Sequence, residues 1–84
     1  MDMKINKGKD INAVSSLVIA NMNGNEHDLI LLDGISYIRV ITDGTKYDKI
    51  IEGIFEYYSF NKVGIDDYSY IIPLEYIEEI EILN

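Results

Sequence analysis

The sequence predicts a mostly β domain, either a small barrel or a strongly bent antiparallel sheet. Short runs rich in β-branched and aromatic residues recur along the chain, at residues 29–32, 35–41, 54–60, 68–72 and 78–83. Turn-forming pairs separate several of them, above all Asp33-Gly34 and Asp43-Gly44. The chain has 84 residues, 48% of them apolar and 11% aromatic. That is enough for one packed core and too apolar for a disordered chain.

Taken in order, residues 1–10 read as a loose lead-in to a single domain, 1–84. Residues 10–22 are ambiguous. Asp10 could cap a helix carrying Ile11, Val14, Val18 and Met22 on one face, but the β-branched content favours a strand from Ser16 onward. A turn is expected at Asn23-Gly24-Asn25. Asp33-Gly34, set between Leu29-Ile30-Leu31-Leu32 and Ile35-Ser36-Tyr37-Ile38, predicts a hairpin with a tight type I′ turn.

Residues 46–60 carry conflicting signals. Tyr47, Ile50, Ile51, Ile54, Phe55 and Tyr58 follow helical spacing, and Thr45 with Asp48 imitates a capping box. Gly53 opposes a helix, and Ile54-Phe55-Glu56-Tyr57-Tyr58-Ser59-Phe60 has strand composition. Strand is the first reading. The alternative is an α+β fold with a helix at about 45–59 packed on an antiparallel sheet. Further on, residues 62–65 read as a short strand and Asp66-Asp67 as a turn, with 68–72 a strand that Pro73 ends. A tight turn follows at 74–77. A last strand then has Ile80 and Ile82 inward and Glu79 and Glu81 outward.

The order from Asp43-Gly44 through Glu52-Gly53-Ile54 and Val63-Gly64-Ile65 to Ile72-Pro73-Leu74-Glu75-Tyr76-Ile77 resembles SH3-like and Sm-like small barrels over roughly residues 35–84. The resemblance implies five strands, with a short 3₁₀ turn before the closing one. The Asn and Arg/Lys-Gly features by which Sm-like domains contact RNA are not evident, so RNA binding is not implied.

Charge narrows the function classes. The net charge is −8, from 15 acids against seven bases. No base follows Lys62, whereas Asp66, Asp67, Glu75, Glu78, Glu79 and Glu81 do. Such a field repels nucleic-acid phosphates and favours a basic partner. The chain has no cysteine, which excludes disulfides and thiolate chemistry. No apolar run follows the N-terminal lysines, and none approaches the roughly 20 residues of a membrane span, so a cytoplasmic location is expected.

Catalytic motifs are missing. The glycines form neither a dinucleotide fingerprint nor a P-loop, and the serines lie in no nucleophile elbow. His27, the single histidine, reads as a surface residue of a polar turn. The acids lack the spacing of a calcium loop, and no cofactor or metal is expected. What remains is a late cluster of Tyr57, Tyr58, Tyr68, Tyr70 and Tyr76 among acids, aromatic anchors within a negative field. The expectation is a non-catalytic protein-binding module, in the manner of a small acidic inhibitor, immunity or phage-type adaptor protein. Its candidate surface is Tyr68, Tyr70, Glu75, Glu78, Glu79 and Glu81. The alternatives are a homo-oligomer assembled through strand edges and a small-ligand binder with a Tyr-lined cleft.

Overall fold

A computed structural model of the chain describes residues 3–7, 14–20 and 26–84, with side chains placed for 4–6 and 29–84. Among the described residues, eight strands form two antiparallel sheets. Strands β1 (Met3–Lys7), β2 (Val14–Ala20) and β3 (Glu26–Leu32) make a three-stranded sheet in that order. Strands β4 (Tyr37–Thr42), β5 (Ile50–Ser59), β6 (Lys62–Ile65), β7 (Tyr70–Pro73) and β8 (Ile77–Ile82) make a five-stranded sheet ordered β7-β6-β5-β4-β8.

This is the mostly β fold the sequence predicts, in its bent-sheet form, because the five-stranded sheet is not closed into a barrel. A 3₁₀ turn at Leu74–Tyr76 precedes the last strand, as the resemblance implies. The α+β alternative is corrected, since residues 50–59 are strand and no α-helix occurs among the described residues. Residues 3–7, which fall inside the expected lead-in, form β1, and Ile5 is buried there. The Asn23-Gly24-Asn25 turn lies outside the described residues.

β5 bends the sheet. Its first half pairs with β4, from Ile41↔Ile50 to Tyr37↔Ile54, and its second half pairs with β6, from Phe55↔Ile65 to Ser59↔Lys62. Ile51, Gly53 and Phe55 alternate inward, the period-2 signature of a strand. Strand composition therefore outweighs the helical spacing. Of the residues that spacing invoked, Ile50 and Tyr58 are exposed.

Asp33-Gly34 is a turn but not a hairpin. Gly34 takes φ 75°, while Asp33 is not in the left-handed region that a type I′ turn needs at both central positions. The flanking strands also belong to different sheets, β3 pairing with β2 and β4 with β5 and β8. The Ile35 and Ser36 amides donate to the Leu32 carbonyl, and the Leu32 amide donates to Ser36 Oγ at 2.8 Å. The turn thus carries the chain from one sheet to the other.

One core joins the two sheets. Ile5 and Leu31 pack with Ile38, Val40, Ile51, Phe55, Val63, Ile65, Ile72, Leu74, Ile77 and Ile80, all buried. The Ile5 amide also donates to the Phe60 carbonyl at 2.7 Å, tying β1 to the end of β5. The loop between β4 and β5 is closed by the Thr42 amide donating to Lys49, and by buried Thr42 Oγ1 donating to the Asp48 carbonyl and accepting from Gly44.

Candidate functional site

The sequence-predicted surface divides between the two edges of the five-stranded sheet. Glu78, Glu79 and Glu81 lie on β8, Glu75 lies on the 3₁₀ turn that leads into it, Tyr70 opens β7 and Tyr68 lies in the turn just before it. Three strands separate β7 from β8 in the sheet order, so the tyrosines and the β8 glutamates are not neighbours across the sheet.

On β8 the register fixes which way each side chain faces. Val40↔Ile80 and Ile38↔Ile82 lie on the core face, while Arg39↔Glu81 and Ile41↔Glu79 lie on the solvent face. Arg39 is also paired with Glu52, so Glu52, Arg39 and Glu81 form a row across three strands. Arg39 Nε reaches Glu52 Oε2 at 2.6 Å and Nη1 reaches Glu81 Oε2 at 3.2 Å. These hydrogen-bonded carboxylates hold the guanidinium above its ordinary pKa. Glu75, Glu78 and Glu79 are exposed and take part in no ion pair among the described residues.

Ile82 was expected to be inward. It lies on the core face but is 38% exposed, because the core ends beneath it. There it borders an open, mainly apolar groove of about 360 Å³, lined by Ile30, Leu32, Ile35, Ser36, Ile82 and Asn84. Asn84 holds the strand end in place: its Oδ1 accepts the Tyr37 amide and its Nδ2 donates to the Ile35 carbonyl. This groove contains no tyrosine. Sequence reasoning missed it because it joins β3 to β8, segments fifty residues apart in the chain. Arg39, the base of the run 35–41, was the legible hint that one face of β4 meets acids.

The β7 end is built differently. Asp66, Asp67 and Tyr68 all adopt positive φ, at 52°, 54° and 67°, a left-handed turn closed by the Ser69 amide donating to Asp66. Tyr68 therefore belongs to the turn and β7 starts only at Tyr70, later than the expected strand 68–72. Asp66 Oδ1 accepts the Ile54 amide at 2.9 Å, and Tyr68 donates its hydroxyl to the Tyr57 carbonyl at 2.6 Å. Tyr68 also packs edge-on against Tyr58, with ring centroids 5.9 Å apart. Tyr76 does not join this group. It packs against Tyr47, with Lys46 Nζ over its ring. Burial raises the Glu56 pKa from its ordinary value, reinforced by the negative charges of Asp33, Asp67 and Asp66. The Tyr68 hydroxyl is raised by the same two causes, burial first.

His27 lies within β3, opposite Ile19, rather than in the expected polar turn. No group of His, Cys, Asp and Glu that could hold a metal occurs among the described residues, and no helix among them is long and apolar enough to cross a membrane. Comparison of the chain with protein-family models, curated proteins and solved structures gives no match.

Proposed function

We propose that the protein is a non-catalytic binding module that engages a basic protein surface through its β8 edge. The observation that carries this reading is the glutamate-rich edge itself. Glu78 and Glu79 stand exposed without a cation among the described residues, beside a Glu52–Arg39–Glu81 row whose one guanidinium serves two carboxylates. A net charge of −8 extends the same field over the molecule, where it speeds encounter with a cationic surface and disfavours nucleic acid. An inhibitor or adaptor role fits that chemistry.

A second reading uses the other edge. Tyr58, Tyr68 and Tyr70 are exposed, and Tyr68, on a left-handed turn beside acids, packs edge-to-face against Tyr58 of β5, which suits aromatic anchoring of a partner. One experiment separates the two. Partners captured on the immobilised wild type are compared with those captured on the Glu78→Lys/Glu79→Lys variant and on the Tyr68→Ala/Tyr70→Ala variant, with circular dichroism confirming that each is folded. Loss of a basic partner on charge reversal alone supports the β8 reading. Loss on the tyrosine variant alone moves the site to β7. Retention by both overturns the module as proposed.

A further inference from the structure

β8 is an edge strand with one side bonded to β4 and the other side unpaired among the described residues. The Leu83 amide donates to the Tyr37 carbonyl at 2.7 Å, so by antiparallel alternation the amides of Glu81 and Glu79 also face β4. Those of Ile80 and Ile82 face away. Such a row of donors and acceptors is a template for a further strand. On one side of this edge lies the groove with Ile30, Ile35 and Ile82; on the other stand Glu79 and Glu81.

We infer that the partner binds by adding an extended segment of alternating apolar and basic residues to the outer edge of β8. This inference rests on the acidic-docking reading above and specifies its geometry. Successive side chains of an added strand point to opposite faces of the sheet. One set enters the groove beside Ile82, and the alternate set lies across from Glu79 and Glu81, where a lysine or arginine makes opposite-charge cross-strand pairs. Charge selects this occupant over a second copy of the chain. Antiparallel pairing of β8 with itself, centred on Ile80, sets Glu79 of each copy opposite Glu81 of the other, and like charges directly opposite are destabilising. The acidic face thus protects the edge from self-assembly while leaving it open to a cationic strand.

The test uses three labelled, end-blocked peptides on the full chain. One alternates lysine and valine over seven residues. The second has the same composition with its lysines and valines in separate blocks. The third repeats the alternating sequence with alternate backbone nitrogens methylated, which removes the donors of one strand edge and keeps every side chain. Fluorescence anisotropy reads affinity, and amide hydrogen exchange reads the β8 edge. The expected result is binding of the alternating peptide at least tenfold tighter than either control, with slowed exchange at the Ile80 and Ile82 amides. Ile35→Ser, at an exposed groove position, and Ile82→Ser should each lose that preference. Equal binding of all three peptides without protection of Ile80 and Ile82 overturns strand addition and leaves acidic docking standing. No binding by any peptide at low salt overturns both. A wild-type dimer in sedimentation whose formation protects the same two amides makes a second copy the occupant and overturns the inference.

Discussion

Gly53 sits within the first half of β5, and there is no room beside it for a methyl group. A Cβ there would meet Ile65 Cγ2, and it would come within 2.6 Å of the Asp66 carboxylate, whose Oδ1 holds the next amide of β5. The left-handed turn at 66–68 can dock against β5 only because this position is bare. Gly53→Ala should therefore destabilise by about 1–3 kcal/mol, the usual range for overpacking a well-filled site. Chemical denaturation checks this, and an unchanged midpoint would remove the close approach from the account. The sequence signals Gly53 as a poor helix residue, which is correct. Its packing role is not legible there, because the obstructing atoms come from Ile65 and Asp66 on the far side of a chain reversal.

At the scale of elements, the junction of the 33–36 turn with β5 gathers acids that are far apart in the chain. The Gly34 amide donates to the Phe55 carbonyl, the Phe55 amide donates to Ser36, and Asp33 Oδ1 accepts the Tyr57 amide at 2.8 Å. These bonds set Glu56 among Asp33, Asp66 and Asp67, half-buried, with its carboxyl held above its ordinary pKa by burial first and by those charges second. An acid whose folded pKa is raised binds its proton more tightly in the folded state. It opposes folding increasingly as pH rises from its unfolded value, near 4.5, through the folded one. Glu56→Gln should then raise the denaturation midpoint at pH 7, with the gain fading as pH falls below the carboxylate range. A midpoint difference that persists in acid would assign the effect to packing instead. Asp43 runs the opposite way: hydrogen bonds from Thr45 lower its pKa, so its contribution is present near neutrality and lost on acidification. Single strands were legible at this scale, because period-2 burial is local: Ile38, Val40 and Thr42 on β4 and Ile77 and Ile80 on β8 follow it, the latter across a bulge. Strand order was not. Nothing near Asp33-Gly34 says that its flanking runs enter different sheets, and for the same reason Tyr68 and Tyr70 were grouped with Glu78, Glu79 and Glu81, from which the sheet separates them.

At the scale of the whole molecule, the two sheets have different claims to independence. Among the residues whose side chains are described, the five-stranded sheet supplies nine of the twelve buried apolar residues, the 3₁₀ turn supplies Leu74, and the three-stranded sheet supplies Ile5 and Leu31. A domain of this length buries only about 60–65% of its unfolded surface, so few residues can be lost from a shared core. Leu31 has no exposed surface, and the amide of neighbouring Leu32 donates to the Ser36 side chain, which anchors the crossing between sheets. If the sheets form one cooperative unit, Leu31→Ala removes about 2–5 kcal/mol from both, since Leu31 belongs to the core that residues of β4 and β5 share. Hydrogen exchange should then speed up together for the Val40 and Val63 amides of the larger sheet and the Leu17 and Leu29 amides of the smaller one. The alternative outcome is asymmetric: faster exchange in β1–β3 while Val40 and Val63 keep their wild-type rates. That result would make the smaller sheet an appendage on a self-sufficient five-stranded unit. It would also affect the binding groove, because Ile30 and Leu32 come from β3 while Ile82 comes from β8. A cooperative molecule holds that groove at the stability of the whole. An appended sheet would let it open locally, and peptide affinity in Leu31→Ala would fall while the β8 glutamates still attracted the cationic strand.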